Sequence, residues 1–241
     1  MSLGEELACE AMRQLEILSI PERLEGMRRY FRTSLRCVGV SAADLRVVAR
    51  EAFSQLETAP RQTVLDFCLA LCRGASFEAR QLGYEVMARH TETMQTLTVS
   101  ELEELGGGND NWASVDAFAT LITGILWQRG RIEDRTILDW ADSLDPWWRR
   151  TALVSVVPLN LKSRGGRGDT RRTLLVADRL KADRHPAIVK ALSWALRSLV
   201  AWDPEAVRSY TNENAAKLPA RVQREVRNKL KTGVKNPGLR H

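Results

Sequence analysis

Residues 111–122 read Asn111-Trp112-Ala113-Ser114-Val115-Asp116-Ala117-Phe118-Ala119-Thr120-Leu121-Ile122. Val115, Phe118, Ala119 and Ile122 recur at steps of three and four, so they line one stripe of a helix with 3.6 residues per turn. Trp112 and Asp116 are four apart and share a neighbouring face. Aspartate is a poor mid-helix residue, because its short side chain competes for backbone hydrogen bonds. Asp116 is also too deep in the segment to cap it. A surface carboxylate beside a core-edge ring is the simplest account of this pair taken alone.

The same period runs outward in both directions, and two-residue alternation is almost absent. Helices are expected near 3–17, 22–37, 42–56, 61–73, 76–90, 92–104, 112–128, 134–143, 147–160, 170–181, 186–202, 204–213 and 219–231. Ser41, Ser76, Asp145-Pro146, His185-Pro186 and Asp203-Pro204 stand where caps or a first-turn proline belong. Breaks fall at Gly106-Gly107-Gly108 and at Arg164-Gly165-Gly166-Arg167-Gly168. Helix pairs recurring every 35–45 residues or so suit HEAT-type repeats. The expected fold is therefore all-α: one HEAT-like solenoid domain over 1–241, an α-α superhelix with a concave basic face. A basic tail at about 232–241, with Lys231 before it and Lys235 and Arg240 within it, is expected to fray. Weak internal similarity leaves a globular helical bundle open.

Composition narrows the classes. The 241 residues carry 36 Lys plus Arg against 30 Asp plus Glu, a formal charge of +6. That balance suits a polyanion such as nucleic acid, and equally suits plain solubility. Seven of the aromatic residues are Trp, more than either Phe or Tyr. No signal peptide and no membrane-spanning apolar run stands out, so a cytoplasmic protein is expected. Cys9, Cys37, Cys68 and Cys72 form no CxxC pair, and reduced thiols without a metal are expected. There is no Walker loop, GxGxxG, HExxH or nucleophile elbow. Only His90, His185 and His241 could serve imidazole chemistry. No organic cofactor is indicated.

Three clusters carry the remaining chemistry. Trp112 with Asp116 is the first. Pro146-Trp147-Trp148-Arg149-Arg150-Thr151-Ala152 is the second, opening a helix with two rings and two guanidiniums. Arg149 and Arg150 suit bidentate phosphate contact, or simply stack on tryptophan and solvate the helix start. Lys190-Ala191-Leu192-Ser193-Trp194-Ala195-Leu196-Arg197 is the third, with Lys190, Trp194 and Arg197 on one face. Exposed, that trio is a stacking platform with phosphate clamps; buried, it is a ring under two cationic stems.

Taken in order, these elements resemble the AlkD-like family of DNA alkylation repair glycosylases. The resemblance runs over most of the chain, from Met27-Arg28-Arg29-Tyr30 to the C-terminal helices. It is carried by Trp112-x-x-x-Asp116 in its WxSVD setting, Arg150-x-Ala152, and Trp194 within KAxxWxLR. Asn111 departs from relatives that carry another Trp there. The resemblance implies hydrolysis of the N-glycosidic bond of N3- or N7-alkylated purines in duplex DNA by a monofunctional glycosylase, expected to be a monomer without metal. Alkylation makes the base cationic and a good leaving group, so a strong general acid is dispensable. A carboxylate beside the sugar then stabilises oxocarbenium character and orients water. Under this resemblance Asp116 takes that role, Trp112 and Trp194 flank the lesion's backbone, Arg150 holds a phosphate, and Tyr30 matches a pocket aromatic. The segment Lys162–Arg172, with Lys162, Arg164, Arg167, Arg171 and Arg172, either adds phosphate contacts or is a mobile solvated loop. Two other functions remain open: a non-catalytic repeat protein binding damaged or branched DNA, and a protein-interaction scaffold.

Overall fold

The computed structural model describes residues 1–74 and 76–237. Arg240 and the end of the expected basic tail lie outside the described residues. Helices account for nearly everything else, and the chain has an all-α helical-repeat fold. Two isolated bridge residues, Arg36 and Ser76, are the nearest approach to a strand among the described residues. No described helix is long and apolar enough to cross a membrane.

The chain divides into two compact units, Met1–Ile122 and the residues from Thr123 onward. The first holds α1 (Leu3–Ile17), α2 (Pro21–Phe31), α3 (Ala42–Leu56), α4 (Arg61–Arg73), α5 (Phe77–Arg89), α6 (Thr91–Gln95), α7 (Val99–Gly106) and α8 (Trp112–Phe118). α4 packs on α1 and α5, and α5 on α3 and α8. Leu15, Leu56, Phe67, Leu71, Leu82, Met87, Leu102 and Phe118 are fully buried between them. Each such side chain contributes about 2 kcal/mol of apolar transfer free energy. Cys68 and Cys72 lie in this core, where burial pushes both thiols up, Cys72 to about 12.

A π-helical turn, Ala119–Thr123, follows α8. The second unit then holds α9 (Gly124–Gln128), α10 (Asp134–Ala141), α11 (Pro146–Ser155), α12 (Val157–Asn160), a 3-10 turn at Lys162–Arg164, α13 (Thr170–Leu180), α14 (Pro186–Leu199), α15 (Pro204–Glu213) and α16 (Ala220–Thr232). α14 is its centre, packed against α11, α13 and α16 through Ile188, Leu192, Leu196 and Leu199.

All five expected caps are made. Ser41 accepts from the Asp44 amide, Ser76 from Ala79, Asp145 from Trp147, His185 from Ala187 and Asp203 from Ala206. Four helices differ from expectation. The helix expected over 22–37 stops at Phe31, where Arg32 turns left-handed at φ 52°. Beyond it the buried Glu78 carboxylate accepts the amides of Val38, Gly39 and Val40 at 2.9, 2.7 and 3.3 Å, which holds the chain out of helix. The 92–104 helix breaks before Thr98, which starts a new one through a capping box with Glu101. The 112–128 helix is interrupted by the π turn. The 147–160 helix is divided near Pro158, which lacks an amide to donate.

Candidate nucleic-acid interface

The helix that carries Trp112 and Asp116 is fixed at its start by Asn111. Its carboxamide oxygen accepts the amides of Ala113 and Ser114 at 3.0 and 2.9 Å, and its nitrogen donates to Ser114 Oγ and Thr33 Oγ1 at 3.0 and 3.3 Å. Asn111 is completely buried, which accounts for a small capping residue where a large ring could stand. The preceding Asp110 accepts from the Thr33 hydroxyl and from the amide and hydroxyl of Ser34. Partial burial works against the Asp110 charge, but the hydrogen bonds from Ser34 and Thr33 outweigh it and hold the carboxyl below its ordinary value. Asp110 and Asn111 thus tie the end of α2 to the start of α8.

That tie sets the rings. Tyr30 meets Trp112 edge-on at 5.4 Å between centroids, Phe31 lies 5.7 Å from Trp112, and Phe31 stacks on Phe77 at 4.4 Å. Tyr30 remains 67% exposed, so one face is available to a partner. Trp112 and Asp116 are half-buried. The Asp116 carbonyl accepts from Thr120 Oγ1 at 2.7 Å as the helix passes into its π turn. A cavity of about 600 Å³ lies beside the rings, lined by Met27, Tyr30, Phe31, Leu45, Glu78 and Ala113 among others. It is largely apolar, with Arg23 and Arg46 also on its wall.

In the second unit the cations divide. Arg149 Nε donates to Asp183 at 2.9 Å and Nη1 to the carbonyls of Ser143 and Leu144, both at 2.9 Å. Arg150 is buried and its Nη1 donates to the Ala187 carbonyl at 2.6 Å. Arg197 donates to Ser193 Oγ at 3.1 Å and lies 3.9 Å from the buried Glu225. Burial lowers its pKa. Lys190 is exposed and Trp194 half-buried on α14. Among the described residues no cation and no second ring stacks on Trp194.

The structure therefore brings Tyr30 to Trp112, sets Asp116 one helical turn further on, and places Lys190, Trp194 and Arg197 along α14. A family model described as "DNA alkylation repair enzyme" matches residues 11–230 of the chain. The chain belongs to this family. Its role is therefore one in DNA alkylation repair. A solved structure titled as a predicted DNA alkylation repair enzyme from Enterococcus faecalis superimposes with a TM-score of 0.73 at 20% identity. It covers 89% of this chain and 97% of that one. At that identity the likeness speaks for the fold. No protein of curated function matches.

Several residues that fix the Trp112 region lie outside what the sequence suggested. Thr33 and Ser34 fell inside the helix expected over 22–37 and Asp110 in a connection, because their partners are more than seventy positions away. Phe31 and Phe77 were not singled out in the sequence, and their stacking depends on the tertiary fold. Asn111 had a local signal, an Asn directly before an apolar-periodic run.

Proposed function

We propose that this chain is a monofunctional DNA glycosylase that hydrolyses the N-glycosidic bond of cationic N3- or N7-alkylated purines in duplex DNA, acting as a cytoplasmic monomer. The observation that carries the reading is Asp116 one turn from Trp112, on a helix whose start is locked by Asn111 and whose first ring is braced by Tyr30. The alkylated base already carries positive charge and leaves without prior protonation. The developing charge is then on the sugar, and a fixed carboxylate lowers the barrier by electrostatics in a partly desolvated setting. Asp116 supplies that charge and orients the attacking water on its way to C1′. Tyr30 and Trp112 offer ring faces that attract a cationic base and pack on deoxyribose, and Trp194 is a ring on α14 that serves DNA binding.

Lys190, exposed on α14, binds a DNA phosphate in this account, and Arg150, buried with Nη1 on the Ala187 carbonyl, holds α11 against the start of α14. Arg149 and Arg197 are spoken for by Asp183 and Glu225, so they position α11 and α14 rather than meet phosphate. The test is release of free N7-methylguanine from a duplex oligonucleotide at enzyme excess. Appearance of the base together with an abasic site is the expected result. No release from any of several cationic lesions overturns the reading.

A further inference from the structure

The glycine-rich basic segment after α12 is not a slack connection. Gly166 N donates to Leu161 O at 2.9 Å and Gly168 N to Leu159 O at 3.0 Å. The Asp169 amide donates to Asn160 Oδ1 at 3.0 Å, and Trp202 Nε1 donates to the Asn160 carbonyl at 2.8 Å. A Cβ on Gly166 would stand 2.3 Å from the Pro158 carbonyl oxygen. One on Gly168, at φ +83°, would stand 2.6 Å from Trp202 Cβ. A connection that needed only to be soluble would not require two glycines packed this tightly. The residue presented between them is Arg167, and it is exposed.

Arg167 looks onto a hollow of about 400 Å³ shared with Gln128, Arg129, Gly165, Asp169 and Arg172. The acidic groups nearby are already engaged. Asp134 accepts from Arg171, Arg172 and Trp127 Nε1 at 2.6, 2.8 and 2.9 Å. Asp169 caps α13 through the Arg172 amide. Arg172 itself lies over the Trp127 ring at 5.2 Å. That leaves Arg129 and Arg167, with Arg164 beside them in the loop, all exposed and none within ion-pair distance of a carboxylate among the described residues. Guanidiniums held on a pinned loop lose little freedom on binding and fit phosphate oxygens bidentately.

We propose that the hollow between Arg129 and the Gly165–Gly168 loop is a phosphate site that grips a backbone phosphodiester of duplex DNA, in addition to the lesion-side residues named above. The inference rests on the reading of this chain as a DNA-binding repair protein, but not on base excision. Its test therefore uses the full chain and a lesion-free duplex. Fluorescence anisotropy between 50 and 200 mM salt compares the protein with Arg129→Gln/Arg167→Gln. The control is Arg13→Gln/Arg73→Gln, which removes equal charge from arginines paired with Glu10 and Glu104. The site variant is expected to bind about tenfold more weakly at low salt, and to flatten the slope of log K against log salt by about 1 to 2 relative to the control. Gly168→Ala, with both arginines intact and the fold checked by circular dichroism, is expected to weaken binding in the same direction.

A slope and affinity equal to the control's overturn the assignment. So does a hollow that binds inorganic phosphate alone, in a manner the site variant abolishes, while the duplex slope stays unchanged. Absence of duplex binding by the unmodified protein overturns both this inference and the repair reading. Duplex binding without base release overturns only the glycosylase reading.

Discussion

Two regions hold the residue types that suit DNA, and they are built in opposite ways. Around Trp112 an exposed Tyr30 ring stands beside a half-buried ring and carboxylate, and the fixing is polar: the Asp110–Asn111 pair ties Thr33, Ser34 and the α8 amides together. Around Arg167 the exposed elements are cations, and the rings are underneath: Trp202 carries Lys162 at 5.3 Å and Trp127 carries Arg172. The first arrangement suits a reacting centre, where charge develops and contacts must be short-ranged. The second suits a grip on backbone charge that is indifferent to sequence. Counting tryptophans or arginines along the chain does not separate the two. What separates them is which groups reach the surface: the Tyr30 ring in the first, and the guanidiniums of Arg129 and Arg167 in the second.

Substitutions should pull the two regions apart. The largest effect is expected at Asp116→Asn: a hundredfold or greater loss of the excision rate at enzyme excess, with duplex affinity within about twofold, because an uncharged carboxamide cannot offset the charge on the sugar. An excision rate within a few-fold of the original would remove Asp116 from the chemistry. Trp194→Ala should weaken duplex binding about tenfold, in line with the loss of one stacking contact. Thermal unfolding would check that its half-exposed ring contributes little to the core.

Asn111→Ala should lower unfolding free energy by about 1–2 kcal/mol in a denaturant titration, because the α8 cap is lost. It should also slow excision, since Tyr30 is braced through the same knot. Loss of stability alone would limit Asn111 to a structural role. The smallest effect is expected at Asp134→Asn, about 1 kcal/mol, since its partner Arg171 is mostly exposed and screened. Burial opposes the Asp134 charge, but hydrogen bonds from Arg171, Trp127 and Arg172 win and bring its pKa down to about 2. The folded value lies below the unfolded one near 3.8. The stabilisation is therefore complete above about pH 5 and fades as pH falls toward 2. Urea titrations at pH 7 and pH 3 should show a gap between the protein and Asp134→Asn that narrows on acidification.

Much of the fold was legible because its determinants are local. Ser41, Ser76, Asp145, His185 and Asp203 announce helix starts by chemistry acting within three residues, and the 3.6-residue stripes announce the rest. The misreadings came from distant partners or from single residues inside a strong periodic run. Residues 32–37 leave the expected helix, with Thr33 and Ser34 held by Asp110 from more than seventy positions away. Pro158 stands in the first turn of α12, just after the break in a run whose apolar pattern continues through it. The π turn at Ala119–Thr123 has no simple spacing signature. In the candidate site the residue types at 112, 116 and 194 were legible. The binding state of each arginine was not, since Asp183 and Glu225, which engage Arg149 and Arg197, are more than twenty-five positions away. The Lys162–Arg172 segment showed the same gap: its charge was evident, while its pinning by Asn160 and Trp202 depends on tertiary contacts.

The central claim is that a carboxylate completes a departure which the lesion's own charge has begun. The most direct measurement is single-turnover base release from duplexes that differ in one base, N7-methylguanine in one and uracil in the other, from pH 6 to 8. The account predicts release of the cationic purine only, at a rate without a step near pH 6.5, because no imidazole donates a proton to the leaving base. Release of the neutral base at a comparable rate, or an imidazole-like step in the profile, would contradict it.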